Sequence, residues 1–420
     1  MNSKKLQDPL WQYLEDQKNE MVALTQTLCG FATENPPGRD YQTCAEFLAS
    51  TAEQFGLQAE MMPVPEAYQQ EYGPPESQEY PRFNVIARWD AGASKTLHFN
   101  SHYDVVPATS DWQTDPFAPV VRGAKLVGRG TMDMKGCLVA SLFAAKALQA
   151  CGHTPPWNLE FSFTADEEIG GRCGVGYLAN QQIIQPDAAV VCEGGMGEII
   201  SYGNRGLFWG NITVHGVSGH GSTPSHGVNA FEHGVEIAQK LLQLHKSHRK
   251  RPTLHHMMDP EHRHPTLTLG GIAGGGSKVN TIPDRFMFSF DRRLLAEEKV
   301  DEIRRAYQSV LESTLKSVQG ASAELEVLSA FDSGFTDPKH AFCKTAQKAV
   351  RRVLGRTGKL KMFGAFSDQH YFTNVLKCPT IGYGVEGAGL HGSDEYLLID
   401  SLTRTARVYA EIALMMPETQ

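Results

Sequence analysis

The chain is short of positive charge: 39 Lys and Arg stand against 47 Asp and Glu, for a formal net charge of -8 at pH 7. Such a balance offers no basic field to a phosphate backbone, so no nucleic-acid partner is expected. Nor is there an apolar run of about 18 residues, the length a membrane span needs, and no membrane partner is expected. The eight cysteines, at 29, 44, 137, 151, 173, 192, 343 and 378, contain no CxxC pair. Scattered in this way they read as reduced, mostly buried thiols of a cytoplasmic protein, not as a disulfide framework. The opening Met1-Asn-Ser-Lys-Lys-Leu-Gln-Asp8 leads into polar amphipathic sequence, without the apolar stretch of a secretory signal. Repeats and low-complexity tracts are also missing. What remains, 41% hydrophobic and 20% charged residues over 420 positions, is ordinary globular composition in a chain too long for one core, and predicts two domains.

Apolar positions at helical spacing from Trp11 to Phe55, broken by Asn35-Pro-Pro-Gly38, predict two helices joined by a turn. Val64 to Pro81, rich in Pro, Glu, Gln and Tyr, reads as a surface loop. Strands are predicted at 83–89, 95–101 and 159–163, with an Ala-rich helix near 135–150. Strand alternating with helix implies an α/β fold with a mixed, largely parallel sheet and helices on both faces. After Gly206 the grammar changes to strand 207–214, helix 228–244, strands 266–272 and 285–294, helix 300–318 and strand 323–328. That βαββαβ order is an α+β ferredoxin-like unit inserted into the first domain. The first pattern then returns, with a helix near 341–354 and a strand at 380–383. The expected boundaries are therefore 1–205, 206–331 and 332–420.

Chemistry concentrates where strands end. Phe161-Ser-Phe-Thr-Ala-Asp-Glu-Glu-Ile-Gly-Gly171 finishes an apolar alternation with Glu167 and Glu168, at the C-terminal strand end where open α/β sheets bind ligands. Successive extended side chains point to opposite sides, so one glutamate is free to face a metal and the other a substrate. Four more such places follow the same rule: His102 and Asp104 in Ser101-His-Tyr-Asp-Val-Val-Pro107, Asp133 in Gly128-Arg-Gly-Thr-Met-Asp-Met-Lys-Gly136, Glu193 in Val191-Cys-Glu-Gly-Gly195, and His391 in Gly387-Ala-Gly-Leu-His-Gly-Ser-Asp-Glu395. Singly, a histidine suits many environments and an Asp between glycines is a turn residue. Together they form a mixed N/O donor set that suits zinc, with manganese or cobalt as alternatives.

In this order the motifs resemble the M20 family of metallopeptidases and amidohydrolases, over nearly the whole chain. The resemblance implies a catalytic domain in two parts and an inserted lid and dimerisation domain. It implies two divalent ions, Zn²⁺ first, with Co²⁺ or Mn²⁺ as substitutes. Asp133 would bridge them, His102 and Glu193 would complete one ion, and Glu168 and His391 the other. Asp104 resembles the acid that orients His102 by accepting its other N–H. Glu167 resembles the general base that takes a proton from the water between the ions and passes it to the leaving nitrogen. His220, in Val217-Ser-Gly-His-Gly-Ser-Thr-Pro224, matches a histidine that reaches into the partner's site of a homodimer and stabilises the oxyanion. Asn280 and Arg293 match a pair that binds a substrate carboxylate, for which Arg offers a bidentate fork; strand alternation sends the neighbouring Arg292 to the opposite face. Gly274-Gly-Gly276 reads as a hairpin turn or a close backbone approach to ligand.

The function so implied is a di-zinc hydrolase that cleaves the amide of an N-acylated amino acid or close analogue. Alternatives are a dipeptidase or carboxypeptidase on the same machinery, a hydrolase of formamides or carbamates, and a binding protein that has lost the chemistry. Phe366-Ser-Asp368 stands where many relatives have Gly-Thr-Asp, and the 64–81 stretch is longer than in the simplest ones; both bear on the substrate, a small molecule carrying a carboxylate.

Overall fold

The structure is a computed structural model that describes residues 8–73 and 78–418. Its contacts divide the chain into two compact units. One contains the residues through Gly203 together with Phe335–Lys361 and Ser367 onward; the other contains Asn204–Gly334 and Met362–Phe366. The second unit thus takes up a five-residue segment from farther along the chain in addition to its continuous stretch.

The first unit opens with three helices rather than two: α1 (Pro9–Asp16), α2 (Lys18–Gly30) and α3 (Tyr41–Gln54). Asp8 caps α1 by accepting the N–H of Leu10, and Pro9 fits the first turn, where no intrahelical donor is needed. The apolar spacing runs on through Gln17, so the break between α1 and α2 leaves no mark in the periodicity. A strand β1 (Gln58–Pro63) and a short helix α4 (Glu66–Tyr72) follow, where only a loop was expected after Val64. Part of that expected loop, residues 74–77, lies outside the described residues.

Next come β2 (Phe83–Trp89), β3 (Thr96–His102), β4 (Lys125–Val127), α5 (Gly136–Ala150), β5 (Asn158–Thr164), α6 (Val175–Asn180), β6 (Ala188–Val191) and β7 (Ile199–Asn204). The second unit holds β8 (Gly206–His215), α7 (Ala230–His248), β9 (Thr266–Gly275), β10 (Arg285–Leu294), α8 (Val300–Leu315) and β11 (Ser322–Phe331). The chain closes the first unit with α9 (Ala341–Leu354), β12 (Thr380–Gly382), β13 (Gly387–Ala388), β14 (Tyr396–Leu398) and α10 (Ile399–Leu414).

The main sheet has nine strands, and along it run β1-β2-β5-β3-β6-β12-β7. Its centre is parallel, with β3 between β5 and β6 and β12 beside β6; β1 and β2 add antiparallel partners at one side. Strand β3 is buried on both faces although it reads Thr-Leu-His-Phe-Asn-Ser-His. Two of its polar residues are paired across the ladder: His98 lies 2.9 Å from Glu160 and 2.7 Å from Ser162, and the Asn100 amide nitrogen donates to Ser162 and Thr164 on β5. Satisfied in this way, buried polar groups cost little. A small sheet, separate from the main one, joins β13, β14, β4 and the strand Val120–Arg122.

In the second unit the sheet order is β9-β10-β8-β11, all antiparallel, and α7 and α8 pack on it. Asn229 starts α7 by accepting the N–H of Phe231 and Glu232. The core is Phe208, Ile212, Val214, Ile237, Leu241, Phe288, Phe290, Ile303, Tyr307 and Leu311. This is the βαββαβ order read from the sequence. Among the described residues no helix is long and apolar enough to cross a membrane.

Candidate active site

Three parallel strands end at one place, and the residues just beyond them converge. His102 closes β3 and is fully buried. Its Nδ1 stands 2.9 Å from the main-chain carbonyl of Asp104, while the Asp104 carboxylate is farther, at 3.5 Å. The nearer acceptor is therefore the Asp104 backbone, where the carboxylate was expected. That carboxylate accepts other donors: the N–H of Glu167 and of Glu168, each at 3.2 Å, and Nδ2 of Asn35 at 3.0 Å.

Glu167 and Glu168 follow β5, but not as an extension of the strand. Asp166 adopts the left-handed φ of 65°, and Glu167–Ile169 forms a short 3₁₀ turn. The two glutamates diverge because of this turn and not because of strand alternation. Asp166 is locked by Arg82, whose Nε lies 2.9 and 3.0 Å from the two carboxylate oxygens, by Asn35 at 2.9 Å and by Tyr41 at 3.3 Å. Arg82 and Asp166 form an ion pair with almost no exposure. Burial pushes Asp166 up to about 6, against the pull of Arg82.

Asp133 lies in the turn before α5, next to a cis peptide to Met134. Its Oδ1 faces His102 Nε2 at 3.2 Å and its Oδ2 faces His391 Nε2, also at 3.2 Å. Nε2 of His391 stands 3.1 Å from Glu168 as well. Glu193 follows β6 and leaves Oε1 buried without a hydrogen-bond partner. His102 Nε2 is also buried without a hydrogen bond, despite its approach to Asp133. Lys135, beside these residues, donates to the carbonyls of Leu28 and Phe31 at the end of α2.

Two donor groups result, His102 with Asp133 and Glu193, and Asp133 with Glu168 and His391; in each, one ligand atom per residue lies within 4.8 Å of the others. They share Asp133 and no other residue. Each offers one imidazole nitrogen and carboxylate oxygens, the donor types that suit zinc. Two buried orphan atoms, His102 Nε2 and Glu193 Oε1, complete the fit, since a cation supplies the partner they lack.

The electrostatics agree. Burial raises Glu167 well above the ordinary carboxylate range, and the charge of Glu193 adds to it. Glu193 is raised by burial too, with Asp133 and Asp368 opposing its ionisation. Burial alone would lower His102, but Asp104, Asp133 and Glu167 outweigh it and hold it well above its usual value. Hydrogen bonds to Asp133 and Glu168 lift His391 to about 10. Burial works against ionised Asp133 as well, yet the two imidazoles keep it below the ordinary range. Acids packed so closely resist ionising together, and positive charge relieves them.

In the second unit, His220 pairs with Thr281 in a two-stranded ladder, and Gly221 donates to the carbonyl of Asn280. His220 Nδ1 is 2.7 Å from Ser222 Oγ. His220 and Asn280 are thus neighbours. Arg293 is not with them. It pairs with Asp291 at 2.9 Å, stacks on Trp209, and lies eight residues along β10 from Arg285, which adjoins Gly276 of the Asn280 loop. An extended strand covers roughly 26 Å over that interval. Within one chain, then, Asn280 and Arg293 lie well apart. Arg292, as alternation requires, points to the other face, is buried, and pairs with Glu298.

Sequence reasoning missed Asn35, Tyr41, Arg82 and Asp166, which build the floor of the Glu167 turn, and Arg129 and Glu395, which hold the Asp133 turn. The Asn35 segment offered only a turn signal. Arg129 and Glu395 sat inside motifs whose other residues drew attention.

A mixed sheet with two donor groups that share a carboxylate at its strand ends is the arrangement of a candidate dinuclear metal centre in an α/β protein. Residues 98–415 match peptidase family M20/M25/M40, and the chain belongs to that family of metallopeptidases and amidohydrolases. It is 31% identical over 330 residues to a succinyl-diaminopimelate desuccinylase of Buchnera aphidicola, a match covering 76% of this chain and 84% of the relative. An M20 metallo-carboxypeptidase of Sulfolobus solfataricus has the same fold, with a TM-score of 0.77 at 18% identity over 94% of this chain and 99% of that one. A dinuclear metal-binding M20 peptidase of Bacillus subtilis is similar too, at TM-score 0.67 and 15% identity over 95% and 98%.

Proposed function

We propose that the enzyme hydrolyses the amide bond of an N-acylated amino acid, or a close analogue, with two zinc ions and Glu167 as general base. The observation that carries this reading is the sharing of Asp133 by two donor groups, with Glu167 belonging to neither. Asp133, His102 and Glu193 would hold one ion; Asp133, Glu168 and His391 the other. Two divalent ions at such a site polarise a scissile carbonyl and acidify water.

The protein's own residues do the rest. Glu167, 3.9 Å from His102 Nε2, takes a proton from the attacking water on its carboxylate and delivers it to the leaving nitrogen. Burial favours the protonated form that this second step needs, and bound cations favour the ionised form that the first step needs. The Asp104 carboxylate, by accepting two main-chain N–H groups, fixes where the Glu167 and Glu168 side chains begin.

The second unit would act as a lid and dimerisation domain. His220 and Asn280 at one end of its sheet and Arg293 toward the other support a site completed across a homodimer, with His220 and Asn280 supplied by the partner and Arg293 by the chain itself. Eight free cysteines support a reducing, cytoplasmic setting.

The test is a mixed library of N-acyl amino acids, dipeptides and formamides, incubated with zinc or with a chelator and read by mass spectrometry. Chelator-sensitive release of amines from the N-acyl amino acids is expected. Cleavage of the dipeptides alone would replace this reading with a peptidase, and chelator-insensitive cleavage would contradict the metal mechanism.

A further inference from the structure

Arg129 and Glu395 belong to neither donor group, yet both are completely buried and form an ion pair at 2.7 Å across 266 residues of sequence. Glu395 has four donors. Oε2 takes Nη1 of Arg129 and, at 3.1 Å, the N–H of Gly130; Oε1 takes the N–H of Met132 at 2.9 Å and of Asp133 at 3.0 Å. The path of the main chain at Asp133 is therefore set by a residue from beyond His391.

At its other end the pair reaches His391 itself. Nη2 of Arg129 donates to the His391 carbonyl at 3.3 Å. His391 needs such support, because its side chain is 56% exposed and its backbone holds a left-handed φ of 60°. It rides on the hairpin between β13 and β14, and β14 is laddered to β4 just ahead of Arg129. The same brace thus fixes both the shared carboxylate and the most exposed ligand.

We propose that Arg129 and Glu395 are positioning residues that pre-set Asp133 against His391, so that the second donor group is formed before its ion arrives. The inference rests on the two-ion reading above. Lysine in place of Arg129 keeps a charge for Glu395, but its ammonium lacks the planar fork that serves Glu395 and His391 together. Partners at this remove from a metal typically change its affinity about 10- to 100-fold.

The experiment is titration of the metal-free full-length protein with Zn²⁺ against a chromophoric chelator, beside thermal melting of the metal-free protein. Wild type should bind two equivalents. In Arg129→Lys one equivalent, the one also lost in His391→Ala, should weaken about 10- to 100-fold, and more than the other, which keeps His102 and Glu193 beside the shared Asp133. Arg129→Met should weaken the same equivalent further; should that variant not fold, Arg129→Lys decides. Two equivalents at wild-type affinity in Arg129→Lys, or equal weakening of both, would overturn the inference while leaving the two-ion reading intact. A wild-type protein that binds fewer than two equivalents would overturn the two-ion reading, and this inference with it.

Discussion

Asp104 accepts the main-chain N–H of Glu167 through Oδ1 at 3.2 Å. With Glu168 and Asn35 on Oδ2, this makes Asp104 the anchor of the turn that carries the proposed base and one proposed ligand. Asp104→Ala removes three hydrogen bonds to a charged group, each contributing about 1.5–3 kcal/mol. Activity should fall at least ~10-fold and the protein should melt at lower temperature, as steady-state kinetics and calorimetry would show. An active, equally stable variant would show that the turn stands without it.

Arg82 and Asp166 should matter more for stability than for turnover. Removing one partner of a buried ion pair costs about 3–5 kcal/mol, because the other charge is stranded. Arg82→Met should therefore lose that much in urea unfolding, and the double variant Arg82→Met with Asp166→Leu should regain a good part of it. If the double variant is no better than the single, the stranded charge is not the cause.

Gly171 cannot carry a side chain. Its φ is 67°, and a Cβ would lie 2.3 Å from Oδ1 of Asp368. Left-handed backbone alone costs about 1–2 kcal/mol for other residues, and the collision would shift the turn from Glu167 to Gly171. Gly171→Ala is expected to reduce kcat more than KM, and unchanged kcat would show that the turn absorbs the strain.

Asp368 gives the metal-free protein a pH dependence. Burial raises it to about 8, and both its oxygens are buried without a hydrogen-bond partner. Unfolded, it ionises near the ordinary aspartate value of about 3.9. Between these values the folded chain binds one more proton than the unfolded one, so this group's contribution to stability is lost as pH rises from about 4 toward about 8. Chemical denaturation from pH 5 to 8 should show a decline that Asp368→Asn flattens, and an equal slope in both proteins would contradict the assignment.

Much of the site was legible because its donors sit at strand ends in short motifs: His102, Asp133, Glu168, Glu193 and His391 each follow an apolar strand or a glycine bend, and the structure brings all five together. What surrounds them was not legible. Arg82 and Asp166 are 84 residues apart and Arg129 and Glu395 are 266 apart, and no local periodicity marks such pairs. Strand β1, Gln-Ala-Glu-Met-Met-Pro, escaped because its alternation lasts only from Gln58 to Met61 before Met62-Pro63 breaks it, and none of its residues is fully buried. The separation of Asn280 from Arg293 was hidden because the resemblance paired them by the spacing of their motifs alone, whereas an extended strand carries them apart.

The central claim is that Glu167 moves the proton while other side chains hold the metal. Glu167→Gln preserves shape and removes the base, so the variant's zinc content and its turnover of the cleaved substrate, measured on one preparation, test that claim directly. Two zinc ions per chain with turnover reduced at least ~10²-fold is the predicted result. Turnover equal to that of the unaltered enzyme, with both ions in place, would contradict it.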